Sequence, residues 1–155
     1  MPEMLNKKKE RPAEWALALL GRCEYACLGL TDEAQPYCVP VSHVLVDGCV
    51  YFHSNPRGYK AELLAQNPRV CLTAVADVHA IPMRFTTEYS SAIAFGTARL
   101  VHDPAERRRA LSAICEKYAA SNPHRETCAA NAGPETAVYC VEIESITGKR
   151  SECSE

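Results

Sequence analysis

A tight-turn dipeptide between two apolar runs is the feature that most constrains the fold of this chain. Asp47-Gly48 tolerates two positive φ angles, which the two-residue turns of β-hairpins require. The runs on either side, residues 39–46 and 49–53, are rich in β-branched and aromatic side chains. The segment therefore predicts two antiparallel strands joined by a tight turn.

The second of these strands is predicted to lead directly into a helix. It ends at Ser54, and Asn55-Pro56 then predicts a helix N-cap followed by a first-turn proline. The first backbone N–H groups of a helix have no intrahelical partners and can bind an anion.

The residues at this helix start carry positive charge. Arg57 and Lys60 add two cations, and Gly58 allows close approach of the backbone. A phosphate monoester would meet charge and directional donors together here. The alternative is an ordinary solvated helix start.

Length and charge indicate a single domain over residues 1–155, with a core from about 12 to 148 and short flexible tails. A net charge of −2 argues against a nucleic-acid partner. The one basic run, Arg107 to Arg109, falls in a predicted helix, where it is expected to form a solvated face. Acidic Glu10 soon follows the lysines at 7–9, so no signal peptide is predicted, and no run of about 18 apolar residues predicts a membrane span. We therefore expect a cytoplasmic protein.

The nine cysteines predict free thiols rather than disulfides or a metal site. Their number is odd, and no two of them stand in C-x-x-C spacing. Cys38, Cys49, Cys71 and Cys140 fall in apolar runs, where a thiol behaves as a small hydrophobic group. Cys153 is expected to be an exposed thiol in the tail. Free thiols require a reducing compartment.

The remaining pattern predicts a mainly β chain with three helices. Predicted helices cover 12–20, 55–67 and 103–120, and predicted strands cover 25–30, 37–46, 49–53, 70–76, 89–101 and 138–143. Gly96 lies inside the longest predicted strand, which marks a bulge or the close approach of another backbone or a ligand. Residues 77–87 are predicted to be an irregular crossover, the stretch before Pro134 a surface loop, and the tail after Gly148 disordered.

Several common catalytic sites are missing from the sequence. The seven glycines never fall in G-x-G-x-x-G or Walker A spacing, and neither H-E-x-x-H nor G-x-S-x-G occurs. The sequence thus gives no sign of a Rossmann site, a P-loop or hydrolase chemistry. An enzyme without such motifs can rely on a bound cofactor, which the protein then holds and tunes.

Three segments follow one another along the chain: PYCVPVSHVLVDGCVYFHSNPRGYKAELLAQNPRVCL, EYSSAIAFGTARLV and VEIESITGK. In their order and spacing they resemble the flavin-binding split-barrel family related to pyridoxamine phosphate oxidase, in its nitroimidazole reductase-like branch. The resemblance implies an α+β fold, mainly β, in which an antiparallel split β-barrel carries peripheral helices. It also implies a homodimer that binds FMN in clefts between the subunits. FAD is disfavoured because the chain offers one phosphate loop and no dinucleotide fingerprint.

The resemblance also implies a set of flavin-binding residues: Val41, Ser42, His53, Ser54, Arg57, Tyr59, Lys60 and Ser91. Val41 and Ser42 would meet the edge of the isoalloxazine, and His53 and Ser54 would lie near the ring and ribityl chain. Lys60 matches the lysine that binds the phosphate. Either Arg57 or Tyr59 could turn toward that phosphate, and the sequence does not choose between them.

The resemblance implies a further contact from the other subunit. Ser91 matches a polar position that reaches the partner's flavin, and Ser90 replaces what is often a larger basic residue. The chain stops shortly after ITGK, without the segment that vitamin B6 oxidases use to hold their substrate, so oxidation of pyridoxamine phosphate is not expected.

The resulting hypothesis is an FMN-dependent oxidoreductase that reduces a small-molecule electron acceptor, nitroaromatic or quinone-like. His53 is the candidate catalytic residue, since an imidazole beside the flavin could hydrogen-bond the acceptor or the ring. A half-buried strand histidine satisfied by a carbonyl is the alternative. Two other functions stay open: a non-catalytic flavin-binding or storage protein, and a haem-binding split barrel.

Overall fold

The computed structural model describes residues 4–32 and 35–152, apart from the side chains of residues 126 and 128. The strands are β1 (Glu10–Arg11), β2 (Ala26–Thr31), β3 (Pro36–Val41), β4 (His43–Val46), β5 (Cys49–Ser54), β6 (Arg69–Ile81), β7 (Thr86–Leu100) and β8 (Ala137–Ser151). The α-helices are α1 (Ala13–Arg22), α2 (Tyr59–Gln66), α3 (Pro104–Ala119) and α4 (Arg125–Ala130), with 3-10 turns at Lys7–Lys9 and Pro82–Arg84. The predicted α+β class, mainly β, is confirmed.

The described strands form one antiparallel sheet in the order β3-β2-β6-β7-β8-β5-β4, with β1 paired to β8. One buried core brings α1 and α2 together with inward side chains of β2, β5, β6 and β7. A second core lies between α3 and the opposite face of β5 and β8. Successive side chains of β5 point to opposite faces of the sheet, so Phe52 belongs to the first core and Tyr51 to the second.

The hairpin turn at Asp47-Gly48 is confirmed. Both residues have positive φ, 51° and 79°, and the turn joins β4 to β5 with Val46 paired to Cys49. The strand predicted before this turn is wrong in one respect, because the chain breaks at Ser42. The part before the break, β3, pairs with β2, and the part after it, β4, pairs with β5. The strand-like run at 37–46 gives no local sign of such a change of partner.

The predicted irregular crossover at 77–87 is wrong. β6 continues to Ile81 and returns through a 3-10 turn into β7, so these residues form a long hairpin. The pairing shifts between Ala76 and His79, where Asp77 has φ of 55°. This β-bulge disturbs the period-two alternation on which the sequence-based assignment relied.

At Gly96 the structure has both a bulge and the close approach of another backbone, the features that the sequence predicted there. The register of β7 against β8 shifts between Phe95 and Gly96, and a Cβ on Gly96 would clash with the carbonyl oxygen of Glu142. Only glycine allows the backbones to approach this closely.

Both ends of the described chain are more regular than predicted. α1 runs through Gly21 to Arg22, and β8 extends past Gly148 to Ser151, so the expected disorder after Gly148 is wrong for the described residues. α4 lies within the stretch that was predicted to be a loop. β8 is ordered here because it pairs with β7 and because Gly148 packs against Trp15 of α1.

No helix among the described residues combines the length and the apolar character needed to cross a membrane.

The cysteines fall into different environments. Cys140 is buried as predicted, and Cys49 and Cys71 are half-buried. Cys38 is exposed, because it lies on the outward face of the edge strand β3, so the expectation that its thiol serves as a small hydrophobic group is not met there. Cys153 lies outside the described residues. Across residues 4–32 and 35–152, no group of three or more His, Cys, Asp or Glu residues is arranged to hold a metal ion.

Candidate functional site

The loop after β5 differs from the predicted helix cap. The Asn55 side chain accepts a hydrogen bond from the backbone N–H of Arg57 at 2.8 Å, which closes a turn within the loop. The helix itself begins later, at Tyr59, and Gly58 is its N-cap with φ of 144°. The predicted cap at Asn55 is therefore wrong, because its side chain satisfies the loop and not the helix.

The helix start still presents free donors. The N–H groups of Ala61 and Glu62 both donate to the carbonyl oxygen of Gly58, at 2.9 and 3.1 Å. The N–H groups of Tyr59 and Lys60 make no hydrogen bond within the described part of the chain. These two donors and the positive end of α2 point toward the loop.

Lys60 is a half-buried cation beside an aromatic ring. Its Nζ lies 5.5 Å from the centroid of Phe52, which in turn stacks on Tyr139 with ring centroids 5.3 Å apart. Burial lowers the pKa of Lys60. No carboxylate of residues 4–32 or 35–152 forms an ion pair with it. A lysine in this state gains stabilisation when an anion arrives.

Tyr59 and Arg57 differ in their surroundings. The Tyr59 ring meets Tyr37 edge to face at 5.1 Å, and its hydroxyl donates to a carboxylate oxygen of Asp32 at 3.3 Å. These contacts turn Tyr59 toward β3. Arg57 is exposed, and its guanidinium makes no hydrogen bond or ion pair with the described residues. It lines a cavity of about 390 Å³ together with Pro56, Glu135 and neighbouring loop residues.

The ends of β3 and β5 form a corner at Ser42 and His53. β4 and β5 pair His43 with Phe52, so the same register continued by one residue brings Ser42 level with His53. Val41, the last residue of β3, is only 5% exposed and has only backbone groups to offer a ligand. Ser42 and His53 are both exposed, and Ser54 is half-buried, with its hydroxyl donating to the Asn55 carbonyl oxygen at 3.2 Å.

His53 is held in its neutral form. Desolvation first, and then the positive charge of Lys60, lower the pKa of this imidazole below its ordinary value. At neutral pH the ring therefore offers one N–H donor and one acceptor nitrogen.

Two residues of α3 that the sequence did not identify, Lys117 and Tyr118, hydrogen-bond the backbone at this corner. The Tyr118 hydroxyl accepts from the backbone N–H of His43 at 2.8 Å and also hydrogen-bonds Ser42. Lys117 donates to the carbonyl oxygens of Gly21, Cys23 and His43, at 3.0, 2.7 and 2.9 Å. Helix α3 thus fixes the strand break at Ser42. The sequence around residues 117–118 does not predict these contacts, because the partners are far away in the chain.

His43 is a structural residue at this corner. It is fully buried, and its Nε2 lies 2.7 Å from the carbonyl oxygen of Leu20, so this nitrogen carries the proton. Its Nδ1 has no hydrogen-bond partner among the described residues. Burial is the largest cause of the lowered pKa of His43.

Ser91 does not join the other predicted residues within one chain. It pairs with Val75 and Lys149, whereas β7 passes the Phe52 and Tyr139 stack at Leu100. Ser91 and Leu100 are nine residues apart on the same strand, which corresponds to about 30 Å at about 3.3 Å per residue. Ser90 beside it is buried. The remaining predicted residues, Val41, Ser42, His53, Ser54, Arg57, Tyr59 and Lys60, lie around the ends of β3 and β5 and the start of α2.

The antiparallel sheet with its peripheral helices has the architecture of a split barrel. A family model for pyridoxamine 5'-phosphate oxidase matches residues 12–150, and the chain belongs to that family. A search of curated proteins finds no significant match.

Solved structures agree on the fold. A proposed 5-nitroimidazole antibiotic resistance protein from Bacteroides thetaiotaomicron superposes with a TM-score of 0.74 at 24% identity, over 90% of this chain and 84% of that one. A FAD-binding protein from Mesorhizobium loti gives 0.70 at 20% identity, over 93% and 98%. A FAD and haem binding protein from Mycobacterium smegmatis gives 0.74 at 20% identity, over 94% and 74%. These similarities establish the split-barrel fold.

Proposed function

We propose that this protein binds FMN at the corner between β3, β5 and α2 and uses it to reduce a small-molecule electron acceptor. The observation that carries the proposal is Lys60, a half-buried cation with no anionic partner in the described chain, beside two free N–H groups at the start of α2. A phosphate monoester matches this combination of charge and directed donors.

The remaining residues fit the rest of a flavin mononucleotide. Ser54 lies between the phosphate donors and His53, at a position suited to the ribityl chain. Ser42 is level with His53 and offers a hydroxyl and exposed backbone to the edge of the ring. Arg57 is a better second phosphate ligand than Tyr59, since Tyr59 is already engaged by Tyr37 and Asp32.

FMN is preferred to FAD because the chain provides one phosphate loop and no dinucleotide fingerprint. The structural neighbours from Mesorhizobium loti and Mycobacterium smegmatis are described as FAD-binding, so FAD is the direct competitor in any binding test. The acceptor class follows from the neighbour described as a 5-nitroimidazole resistance protein and from the exposed position of the corner.

FMN bound here would supply two electrons to an acceptor, and the residues of the corner would orient that acceptor. Neutral His53 can donate a hydrogen bond to a nitro or carbonyl oxygen and so stabilise the negative charge that develops on that oxygen. We assign His53 this role and assign phosphate binding to Lys60. The cytoplasm is the proposed location, because free thiols such as Cys38 persist in a reducing compartment.

The proposed assembly is a homodimer with two flavin sites. Ser91 lies too far from His53 to share a ligand within one chain, and the outward faces of β6 and β7 expose Val75 and Ile93. A second copy that covers these side chains would bring its Ser91 to the flavin of the first.

The absorption spectrum and mass of the molecule that co-purifies with the protein test this function. We expect a flavin spectrum and the mass of FMN, with riboflavin binding at least about tenfold more weakly than FMN. A Soret band would instead indicate a haem protein. Bound FMN that is never reoxidised by nitroaromatics or quinones after photoreduction would indicate a flavin carrier.

A further inference from the structure

The outward face of β3, β2 and β6 carries three thiols around one glycine. Gly29 of β2 pairs with Cys38 of β3 on one side and with Cys71 of β6 on the other. Cys27, two residues before Gly29 and on the same face, pairs with Pro40 and Thr73. Cys27 is therefore a diagonal neighbour of both Cys38 and Cys71.

Cys27 is in contact with Cys38. Its thiol forms a side-chain hydrogen bond with Cys38. The Cys71 sulfur instead leans over Gly29, where it would lie 2.6 Å from a Cβ at that position. Cys38 is exposed and Cys27 is half-buried, and both are free thiols.

We propose that Cys27 and Cys38 form a reversible dithiol–disulfide couple that cross-links β3 to β2. β3 is the terminal strand of the sheet, so it can shift to bring the two sulfurs to bonding distance. Diagonal residues are typically about 7 to 8 Å apart, beyond the usual range of disulfide-bonded Cα atoms. The resulting bond is strained, and strained, exposed disulfides are the readily reduced, regulatory ones.

The other pairings are disfavoured. Cys38 and Cys71 lie on the two sides of β2, about two strand spacings or roughly 9.5 Å apart, which is too far for a disulfide. Cys71 belongs to β6, which is held between β2 and β7 and cannot shift toward Cys27 as an edge strand can.

A small-molecule disulfide such as oxidised glutathione is the oxidant class that the exposed thiol can meet. The Cys38 sulfur attacks this disulfide, forms a mixed disulfide and releases one thiol. The Cys27 sulfur then attacks the Cys38 sulfur and releases the second thiol. The protons lost by Cys27 and Cys38 pass to the two released thiolates, so one protein disulfide forms as one small disulfide is reduced.

The chain contains a matched internal control. Cys49 and Cys140 occupy the same diagonal relationship on β5 and β8, since Cys49 pairs with Glu142 and Tyr51 with Cys140. Their sulfurs also share a hydrogen bond, but Cys140 is completely buried, and burial raises its pKa to about 11. Both strands have neighbours on each side, so this pair should stay reduced.

The test equilibrates the full chain with mixtures of oxidised and reduced glutathione, traps free thiols by alkylation and maps the peptides by mass spectrometry. Cleavage at Asp32 separates the two cysteines, so a cross-link joins two distinct peptides. We expect the Cys27–Cys38 link to exceed the Cys27–Cys71 and Cys49–Cys140 links by at least about tenfold and to disappear with excess reduced glutathione.

Three variants sharpen this result. Cys71→Ser should leave the link intact, Cys38→Ser should leave Cys27 alkylated, and Cys27→Ser should trap a glutathione adduct on Cys38. The proposal is overturned if wild-type Cys38 accumulates the glutathione adduct without a link, if Cys27 joins Cys71, or if both thiols stay reduced. Wild-type mapping decides alone if a variant fails to fold.

Discussion

Lys60 is the residue on which the proposed phosphate site depends most directly. Removing its charge-assisted bond in Lys60→Ala should cost about 1.5 to 3 kcal/mol, which is roughly ten- to a hundredfold in FMN affinity. Riboflavin has no phosphate, so its affinity should change little. Titration of the apoprotein with both flavins measures the difference.

Lys8→Ala is the matched control for this charge change, because Lys8 is exposed and lies in the N-terminal 3-10 turn away from α2. It should bind FMN as the wild type does. Equal losses for FMN and riboflavin in Lys60→Ala would show that the lysine supports the fold of the loop and not a phosphate.

His53 should affect turnover more than flavin retention. The phosphate has its own donors, so His53→Ala should keep most of its FMN, whereas loss of the hydrogen bond to the acceptor oxygen should slow reoxidation by about 10². Stopped-flow reoxidation of photoreduced protein by a nitroaromatic or a quinone gives the rate. His102→Ala replaces an exposed histidine after β7 and should leave the rate unchanged. A normal rate in His53→Ala with every acceptor would favour the flavin-carrier function.

His43 should make the folded state sensitive to acid. Its pKa is lowered in the folded chain, mainly by burial, whereas in the unfolded chain it is about 6.5. The unfolded state therefore binds more protons below about pH 6.5, and the free energy of unfolding falls as the pH decreases, by up to about 1.4 kcal/mol per pH unit. Its contribution is fully present above that pH. Urea unfolding of wild type and His43→Gln between pH 5 and 8 should show a steeper slope in the wild type, because the lowered pKa of His53 acts equally in both proteins.

At the scale of secondary structure, replacing Gly96 or Gly21 by alanine should change the stability in opposite directions. A Cβ at Gly96 would clash with the Glu142 carbonyl oxygen in the neighbouring strand, whereas a Cβ at Gly21 would meet Leu45 at an ordinary 3.6 Å. Gly96→Ala should destabilise the protein by about 2 kcal/mol or more. Gly21→Ala, inside α1, should stabilise it by roughly 0.5 to 1 kcal/mol. Denaturant unfolding of both variants tests the pair, and equal stabilities would contradict the close approach at Gly96.

Elements with local signals were predictable, and elements set by distant partners were not. The Asp47-Gly48 turn and the Asp103 cap of α3, which accepts from the Glu106 N–H at 2.7 Å, follow from residues next to each other in sequence. The break at Ser42 depends instead on Tyr118 of α3. Sequence patterns indicate local backbone preference and burial. They do not indicate which strands pair, so they could not predict the change of partner at Ser42.

The same distinction applies to the candidate site. Resemblance identified Lys60 and His53, and the structure places both at one corner, with the charge of Lys60 acting on the His53 ring. The sequence could not choose between Arg57 and Tyr59, because the choice depends on Tyr37 and Asp32 across the loop. Lys117 and Tyr118 carried no local signal, because their hydrogen-bond partners lie far from them in the sequence.

At the scale of the whole molecule, the position of Ser91 connects flavin binding to assembly. If each flavin contacts Lys60 of one chain and Ser91 of the other, a dimer of two Lys60→Ala chains has two defective sites. A dimer of two Ser91→Glu chains also has two defective sites, because the new carboxylate would repel an anionic flavin. A mixed dimer places both changes in one site and leaves the other site wild type.

Mixing the two variants should therefore restore FMN binding that neither has alone. After equal amounts of the chains are unfolded together and refolded, random pairing makes about half of the dimers mixed, so about a quarter of all sites should be intact. Fluorescence titration counts these sites, and light scattering confirms the dimer mass. Restored binding requires the two residues to act across subunits, because residues acting within one chain would leave every site in the mixture defective. Absence of tight sites in a mixture that light scattering shows to be dimeric would place Ser91 outside the flavin site, and a monomer that binds FMN fully would remove the need for a partner.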